Sequence, residues 1–312
     1  MRCLVTGCAG FIGSHLAEAL INAGNSVIGV DCLTDYYPRK VKRSNLSALR
    51  KMKGFRFAEA DLASANLRPH VKGVDAVFHL AAQPGVRASW GATFSHYVRD
   101  NIIATQRLLE ALKAEPIKRF VYASSSSIYG ESERMPTPED VTPKPVSPYG
   151  ATKLAAEHLC HVYFKNYGVR AVTLRYFTVY GPRQRPDMAF SRFISRISEG
   201  EEIEVFGDGE QRRDFTFVED IVAGNILALD ATPGGAYNVG AGKTVTVNEV
   251  IATLELIIGK KAKVRRVQPA LGDVRNTSAD ITRISRDLGY RPRTGLTEGL
   301  RKQVEAQTAQ VG

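Results

Sequence analysis

Three glycines follow the first apolar run of the chain at a spacing that few folds require. The run Arg2–Thr6 has the composition of a short strand, and it leads into Gly7, Gly10 and Gly13 ahead of a helix-like segment. In a strand–turn–helix unit the first glycine allows the tight turn, the second lets backbone approach a pyrophosphate, and the third lets helix and strand pack closely. The helix N-terminus then meets the phosphate charge. The pattern predicts a dinucleotide site at the start of the chain.

Strand-like and helix-like segments alternate through the first half of the chain. Short runs rich in β-branched or aromatic residues predict strands. These runs are Arg2–Thr6, Ser26–Asp31, Arg56–Ala60, Ala76–Leu80, Arg119–Ala123 and Ala171–Tyr176. Helices are predicted at Phe11–Ala23, Thr93–Ala114 and Pro148–Tyr167. The alternation predicts an α/β fold built on a Rossmann-type, doubly wound parallel sheet.

The pattern changes after about Gly181, where shorter elements and glycine-rich turns take over. We expect residues 1–180 to form the dinucleotide-binding domain. Residues 181–312 are expected to form mostly a smaller C-terminal α/β lobe that binds substrate, with segments that return to the main sheet. The last residues, Gln307–Gly312, are expected to form a disordered tail.

Charge and cysteine usage exclude several classes of function. The net charge is +10, but the basic residues are spread along the chain, which disfavours nucleic-acid binding. No apolar run is long enough for a membrane span, and no secretory signal opens the chain, so we expect a cytoplasmic protein. Cys3, Cys8, Cys32 and Cys160 lack metal-ligand spacing, so no metal site is expected.

An acidic residue at the end of the second strand points to the kind of dinucleotide. Asp31 lies where a carboxylate accepts hydrogen bonds from the adenosine ribose, and it would repel a 2′-phosphate, which favours NAD over NADP. The alternative is an aspartate that merely ends a strand. Further candidates for contact with the cofactor lie at the helix start and after the third and fourth strands: Phe11, Ile12, Asp61, Leu62, Leu80, Ala81 and Ala82.

A tyrosine and a lysine lie one helical turn apart at the start of the helix predicted over Pro148–Tyr167. Tyr149 and Lys153 are four residues apart, so their side chains share a helix face. Lys153 is expected to lower the pKa of the Tyr149 phenol, which then acts as a general base, and both are expected to contact the cofactor. A serine from the end of the fifth strand is expected to share the proton of a substrate hydroxyl.

These motifs together resemble the extended short-chain dehydrogenase/reductase family, the NAD-dependent epimerases, dehydratases and decarboxylases of sugar nucleotides. The resemblance covers nearly the whole chain. It implies an NAD that is retained through turnover, with Tyr149 and Lys153 as the catalytic pair and Ser125 as the third member. Since four serines stand in a row at 124–127, the choice of Ser125 stays open by one position.

Within that family, the segments Arg175–Ala189 and Pro84–Ser89 resemble those of the UDP-glucuronate 4-epimerases, and the resemblance places Arg87 beside the substrate. An epimerase must hold the glucuronate carboxylate still, because the 4-keto sugar is a β-keto acid that loses carbon dioxide readily. Short hydroxyl donors and an arginine suit that task. The candidates are Ser126, Ser127, Thr178, Arg185 and, at the reacting hydroxyl, Tyr149. For Arg185 a surface ion pair with Asp187 is the alternative.

The residues at positions 126 and 127 distinguish epimerisation from decarboxylation and from 4,6-dehydration in this family, by the same resemblance. The resemblance implies that a decarboxylase carries glutamate at the position of Ser127 and that a 4,6-dehydratase carries an Asp–Glu pair at Ser126 and Ser127. Neither is present, which leaves epimerisation. A 4-epimerase of neutral UDP-glucose or UDP-N-acetylglucosamine is the nearest rival, followed by a UDP-glucuronate decarboxylase. A non-catalytic nucleotide-binding relative would tolerate loss of Tyr149 or Lys153, and both are present.

The resemblance also implies contacts for the nucleotide and a partner for the chain. Arg213 is expected to meet the diphosphate, and Asp273 the uridine ribose. Some relatives carry an arginine where this chain has Ala270, so either Arg275 replaces that diphosphate contact or the contact is lost. A homodimer packed through the two long predicted helices is expected as well.

Overall fold

The computed structural model describes residues 1–309 of the chain. The strands are β1 Arg2–Thr6, β2 Ser26–Asp31, β3 Phe55–Glu59, β4 Ala76–His79, β5 Arg119–Ser125, β6 Ala171–Tyr176, β7 Thr178–Tyr180, β8 Glu202–Phe206, β9 Arg212–Arg213, β10 Phe215–Phe217, β11 Ala236–Val239, β12 Val245–Thr246 and β13 Lys263–Val267. The α-helices are α1 Phe11–Asn22, α2 Arg39–Leu49, α3 Arg68–Val71, α4 Phe94–Tyr97, α5 Ala104–Leu112, α6 Pro148–Tyr167, α7 Ala189–Glu199, α8 Val218–Leu227, α9 Val247–Ile258, α10 Thr282–Leu288 and α11 Leu296–Thr308. A π-helical segment covers Val98–Ile103.

Seven of these strands form the main sheet, in the order β11-β6-β5-β4-β1-β2-β3. All of the neighbouring pairs are parallel. The chain moves outward from β1 in one direction to β3 and then crosses to β4 on the other side, so strand order reverses between β1 and β4. The predicted doubly wound parallel sheet is confirmed. In such sheets ligands bind outside the carboxyl ends of the strands at the point of reversal.

Both faces of the sheet are covered, as a parallel sheet requires. Leu4 and Val77 point into one apolar core, whereas their neighbours Val5 and Phe78 point into the other, and all are buried. This alternation holds the strands in place between two layers of helices. The loops at the carboxyl ends therefore have a rigid base.

A smaller lobe follows β6 without a long connection. It contains three two-stranded sheets, β7 with β10, β9 with β12 and β8 with β13. Because β7 begins two residues after β6 ends, this lobe starts at the carboxyl edge of the main sheet, where ligands of such folds bind.

The helix predicted over Thr93–Ala114 is confirmed over residues 94–112, but it contains a π-helical turn. α4, the π-helical segment Val98–Ile103 and α5 follow one another without a non-helical residue between them. The π-helical segment carries Asn101, whose buried side chain accepts from the Gln83 N–H at 2.7 Å and donates to the Gln83 carbonyl at 3.1 Å. π-helical bulges often mark functional sites, and here one binds a loop of the cleft.

Two further differences concern helices. Helix α2 is not predicted from the sequence, because its eleven residues are mostly charged or polar and it buries Lys42 and Asn45 beside Leu46 and Leu49. The tail expected at Gln307–Gly312 is wrong for residues 307 and 308, which end α11, while residues 310–312 lie outside the described residues. Within residues 1–309, no helix combines the length and the hydropathy needed to cross a bilayer.

Candidate active site

The glycine turn between β1 and α1 leaves no room for side chains. Gly7 has φ +70°, and a Cβ there would lie 2.8 Å from the backbone nitrogen of Ala81. A Cβ on Gly13 would lie 2.1 Å from the carbonyl oxygen of Gly7. Helix α1 begins at Phe11 after Gly10, so its first N–H groups lack acceptors within the helix. The turn fits a pyrophosphate, because it combines close backbone approach with a helix N-terminus.

Asp31 is held by backbone at the adenosine end of the cleft. Its two carboxylate oxygens accept from the Ala9 N–H at 3.1 Å and from the Leu33 N–H at 2.8 Å. Burial raises the pKa of Asp31, while the Leu33 hydrogen bond and the nearby Lys42 ammonium oppose that rise. The carboxylate is thus fixed in position, and it lines the cleft as the ribose contact requires.

Asp61 lies across the same end of the cleft and carries an ion pair with Arg99. Its carboxylate also accepts from the Ala63 N–H at 2.9 Å and from the Ser64 hydroxyl at 3.0 Å. Burial works to raise the pKa of Asp61, but the hydrogen bonds from Ala63 and Arg99 hold it below its ordinary value. Asp61 is therefore ionised near the predicted adenine position.

One cleft brings together all thirteen residues that the sequence assigns to the cofactor. They are Gly7, Gly10, Phe11, Ile12, Gly13, Asp31, Asp61, Leu62, Leu80, Ala81, Ala82, Tyr149 and Lys153. Their individual roles stay predictions, but a narrow backbone turn, a fixed carboxylate and small residues on the opposite wall fit a dinucleotide. In the described part of the chain, no three His, Cys, Asp or Glu side chains group as a metal site.

Helix α6 presents the tyrosine–lysine pair at the centre of this cleft. Ser147 caps the helix by accepting from the Gly150 N–H at 3.1 Å, and Pro148 occupies its first turn. Tyr149 follows at once, with its ring in edge contact with Tyr97 at a centroid distance of 6.2 Å. Lys153 lies one turn later, buried, with its ammonium 4.8 Å from the centroid of the Tyr122 ring.

Burial dominates the pKa values of the pair. It raises the pKa of Tyr149, while the Ser125 side chain and the Arg185 charge oppose that rise. Burial also lowers the pKa of Lys153 to about 8. The groups that lower the pKa of Tyr149 in the structure are therefore Ser125 and Arg185, where the sequence predicts Lys153.

The four serines at the end of β5 have different surroundings. The Ser124 hydroxyl donates to Glu157 at 2.9 Å, on the side of α6 that faces the sheet. The Ser125 oxygen accepts from the Ser127 N–H at 3.1 Å, and the Ser125 hydroxyl lies 3.2 Å from that of Ser127. Ser124 lines the cleft beside Tyr149, but Ser125 is the serine whose side chain lowers the pKa of the Tyr149 phenol, which favours Ser125 as the third catalytic residue.

A second pocket lies on the far side of the serines, where β5 meets the smaller lobe. It is lined by five of the predicted substrate residues, namely Ser126, Ser127, Thr178, Arg213 and Asp273. Three hydroxyls, one guanidinium and one carboxylate thus face a common space next to the cleft.

Arg213 and Arg275 have separate environments. The Arg213 side chain donates to the backbone carbonyls of Arg275, at 2.6 Å, and of Val274. The Arg275 side chain is 65% exposed and pairs with Asp208 at 2.9 Å. Arg275 is therefore not brought to the second pocket, and the contact predicted for it has no support in this geometry. Its carbonyl supports Arg213 instead.

Arg87 lies at the rim of the second pocket. Its guanidinium is 2.6 Å from the Asp273 carboxylate and lies 3.7 Å from the centroid of the Phe206 ring. The ion pair and the cation–π contact join the loop after β4 to the smaller lobe. Arg87 and Asp273 thus pair with each other at this rim, and their substrate roles stay predictions.

Arg185 lines the first cleft rather than the second pocket. It donates from Nε and Nη2 to the two oxygens of Asp187, each at 2.9 Å, and its guanidinium lies 5.8 Å from the centroid of the Tyr36 ring. The ion pair that is the alternative role of Arg185 is present, but it lies on the cleft wall beside Tyr149.

Sequence reasoning missed several residues of the cleft. Tyr36, Gln83 and Asp100 line it without belonging to a recognised motif. The aromatic pair Tyr36–Tyr37 soon after Asp31 is a usable signal, since two adjacent tyrosines are unusual in a loop that serves only as a connection. Asn101 has no such signal in the sequence, because its role depends on the π-helical segment that carries it.

The sequence matches the model of the NAD dependent epimerase/dehydratase family over residues 3–240. The chain is 45% identical over 308 residues to an uncharacterised UDP-glucose epimerase of Bacillus subtilis, and the match covers 97% of each protein. It is 42% identical over 306 residues to a UDP-glucuronate 4-epimerase of Thermodesulfobacterium geofontis, covering 96% of this chain and 94% of that one.

The fold is similar to that of a solved UDP-glucuronic acid 4-epimerase from Bacillus cereus, in complex with UDP-glucuronic acid and NAD. The TM-score is 0.97 at 43% identity, covering 99% of this chain and 100% of that one. With the glycine turn and the tyrosine–lysine pair in one cleft, these matches agree with the geometry, and the chain belongs to the NAD dependent epimerase/dehydratase family.

Proposed function

We propose that this protein is a UDP-glucuronate 4-epimerase, which interconverts UDP-glucuronate and UDP-galacturonate with a tightly bound NAD. One observation carries the proposal: Tyr149 and Lys153 share a cleft with the glycine turn, and the neighbouring pocket presents hydroxyls, not carboxylates, at positions 126 and 127. Relatives of that name match nearly the whole chain.

Tyr149 moves the proton in this mechanism. When bound, NAD would accept the hydride from C4 of the sugar and return it to the opposite face of the 4-keto sugar. Tyr149 takes the proton of the C4 hydroxyl and gives it back after the ring has turned over. Ser125 and Arg185 are the groups that favour the phenolate of Tyr149. Lys153, with a pKa of about 8, stays mostly protonated at pH 7 and would hold the nicotinamide ribose. Ser125 donates to the reacting oxygen.

The substrate carboxylate must be restrained while the 4-keto sugar exists. A β-keto acid loses carbon dioxide when its carboxyl bond aligns with the ketone π-system, so orientation decides between epimerisation and decarboxylation. Ser126, Ser127 and Thr178 supply donors from the second pocket, and Arg185 supplies a charge from the cleft wall. Hydrogen bonds from these groups would hold the carboxylate out of alignment.

The UDP group would serve as the fixed pivot of the turning sugar. Arg213, whose pKa is lowered by burial but which remains a cation, would meet the diphosphate. Asp273 would accept from the uridine ribose, and Arg87 pairs with it at the rim. We propose residues 1–180 as the NAD-binding domain and 181–312 as mostly the UDP-sugar lobe, with β7 at the boundary and β11 returning to the main sheet.

A 4-epimerase of neutral UDP-glucose or UDP-N-acetylglucosamine is the second candidate. It is favoured by the ion pair of Arg185 with Asp187, which compensates the arginine charge without a substrate carboxylate, and by the name of the Bacillus subtilis relative. Competition between UDP-glucose and UDP-glucuronate separates the two. A decarboxylase is disfavoured by Ser127, and a non-catalytic binding role by the presence of Tyr149 and Lys153.

The deciding experiment follows the products from UDP-glucuronate by proton NMR, with and without added NAD. UDP-galacturonate without net NADH supports the proposal. Pentose signals with released carbon dioxide would move the assignment to a decarboxylase. Turnover of UDP-glucose alone would move it to the neutral-sugar epimerases, with the catalytic pair unchanged.

We further propose a homodimer packed through the helical segments 94–112 and 148–167. Four large apolar side chains on these segments are 40–53% exposed, namely Phe94, Ile103, Val162 and Tyr167. A two-fold axis beside them would bury these side chains in a four-helix bundle. Sedimentation equilibrium should give twice the monomer mass, and Val162→Glu should weaken association. A wild-type monomer would refute the proposal.

We also propose a cytoplasmic location. All four cysteines are free, and three of them are buried, which suits a reducing compartment. Fractionation of cells that express the protein from its own gene would test this.

A further inference from the structure

His79 is fully buried at the end of β4 and has no part in the proposed chemistry. Its Nδ1 lies 2.8 Å from the Thr6 hydroxyl and its Nε2 lies 2.9 Å from the Thr105 hydroxyl. The rings of Phe120 and Tyr122 lie against it, with centroids 5.9 and 5.8 Å away. The imidazole thus joins the end of β1 to α5 by two hydrogen bonds in an apolar setting.

The contact with α5 determines which nitrogen carries the proton. The Thr105 hydroxyl oxygen lies 2.6 Å from the Asn101 carbonyl oxygen, and a carbonyl has no proton to give. Thr105 must therefore donate its only proton to Asn101. The proton between Thr105 and His79 then belongs to the ring, so Nε2 is protonated.

The contact with β1 gives the same answer independently. The Thr6 oxygen accepts from the backbone N–H groups of Leu80 and Ala81, each at 3.2 Å. These two donors fill its lone pairs, so the Thr6 proton points to His79 Nδ1, which must be the unprotonated nitrogen. The hydrogen bonds at Thr105 and at Thr6 therefore require the same tautomer of His79, with the proton on Nε2.

We infer that His79 is a positioning residue for the cofactor cradle: as the neutral Nε2–H tautomer it orients Thr6, which fixes the N–H groups of Leu80 and Ala81 opposite Gly7. Gly7 packs directly on this segment, since a Cβ on it would meet the Ala81 nitrogen at 2.8 Å. A small displacement of Ala81 therefore changes the width of the glycine turn. The inference rests on the proposed binding of NAD.

The hydrogen bonds continue from Asn101 to the catalytic helix. The Asn101 side chain donates to the Thr152 hydroxyl at 3.0 Å, and Thr152 donates to the carbonyl of Tyr149 at 2.9 Å. The cofactor wall and the first turn of α6 are thus connected through His79 and Thr105. Burial and the nearby Lys153 charge lower the pKa of His79 to about 3, which keeps the ring neutral.

Nitrogen NMR of 15N-histidine-labelled protein tests the tautomer directly, with His79→Gln to assign the signal. We expect Nε2 protonated and Nδ1 unprotonated across pH 5 to 8. A protonated Nδ1, in either the other tautomer or the imidazolium, would overturn the inference. This readout needs neither substrate nor cofactor.

NAD affinity, measured by calorimetry after removal of co-purified nucleotide, tests the positioning role. Thr105→Val deletes the acceptor for Nε2–H and should weaken NAD binding about tenfold, whereas Thr105→Ser should restore it. Thr173→Val is the control, because Thr173 is a buried threonine of β6 outside these hydrogen bonds.

The outcomes are distinguishable. Unchanged NAD affinity in Thr105→Val, or an equal loss in Thr173→Val, overturns the role of His79 and leaves the proposed function intact. A wild-type protein that binds no NAD overturns the proposed function itself. Should Thr105→Val fail to fold, Thr6→Val against Thr6→Ser makes the same comparison from the strand side.

Discussion

Arg185 donates two parallel hydrogen bonds of 2.9 Å to the carboxylate of Asp187. The Arg185 side chain is only 18% exposed and lies on the wall that also carries Tyr149. Bidentate pairing fixes the plane of a guanidinium, so Asp187 determines how Arg185 faces the cleft. Among the described residues, no acceptor is bonded to Nη1, which leaves its two N–H groups for a ligand.

Asp187→Asn should therefore change the outcome of the reaction as well as its rate. With Arg185 less firmly oriented, we expect kcat/KM for UDP-glucuronate to fall about tenfold and the share of decarboxylated pentose to rise. Proton NMR of the products measures both. Asp208→Asn is the control, because it breaks an exposed Asp–Arg pair outside the cleft. Equal effects in the two variants would show that Asp187 has no special role.

Tyr149→Phe should leave the fold and NAD binding intact but remove turnover. The variant keeps the ring that contacts Tyr97 and loses only the hydroxyl that moves the proton. We expect kcat to fall by about 10²–10⁴-fold, the usual contribution of a general base. Turnover and NAD affinity are measured on the same preparation. A variant that retains a tenth of the wild-type rate would exclude Tyr149 as the base.

Lys153→Met should stabilise the protein without added cofactor at pH 7. The pKa of Lys153 is about 8 when folded against an ordinary 10.5, so below pH 8 the folded state bears the whole cost of the buried charge, about 3 kcal/mol. Between pH 8 and 10.5 the folded state releases that proton before the unfolded state does, so wild-type stability rises relative to the variant. Urea unfolding at pH 7 and 9.5 gives the difference in unfolding free energy between the variant and the wild type. This difference should be smaller at the higher pH. A constant difference would mean that the lysine is not buried as a charge.

Gly13→Ala should abolish NAD binding. The new Cβ would lie 2.1 Å from the Gly7 carbonyl, so backbone must move, at a cost of about 1–3 kcal/mol in unfolding free energy. Gly295→Ala is matched to it, because Gly295 has an ordinary φ of −71° and a Cβ there would have no atom within 4 Å. Calorimetry should detect NAD binding to Gly295→Ala and none to Gly13→Ala. Retained affinity in Gly13→Ala would refute the pyrophosphate role of the turn.

The main sheet is predictable because its strands are buried on both faces and read as apolar runs. Strands β1, β2 and β6 have the predicted bounds, and the glycine turn and the pair Tyr149–Lys153 meet as expected. These features are local, since a turn, a strand or one helical turn is encoded by neighbouring residues.

What sequence reasoning missed depends on contacts between distant segments. Arg275 resembles a diphosphate ligand in sequence, but its side chain pairs with Asp208, and only its carbonyl reaches Arg213. The π-helical turn inside the helix predicted at Thr93–Ala114 carries Asn101, whose side chain bonds the loop at Gln83. No periodicity within one segment reports such partners.

Strand β11 has a practical consequence for engineering. Ala236–Val239 comes from the second half of the chain, yet it is the edge strand of the main sheet, paired with Thr173–Tyr176. A chimera that exchanges everything after residue 180 to change sugar preference would also replace this strand. Sugar specificity is therefore better transferred by grafting loops. After a whole-lobe exchange, the edge strand of another protein must pair with β6, and if it does not, β6 becomes an exposed edge strand that can aggregate.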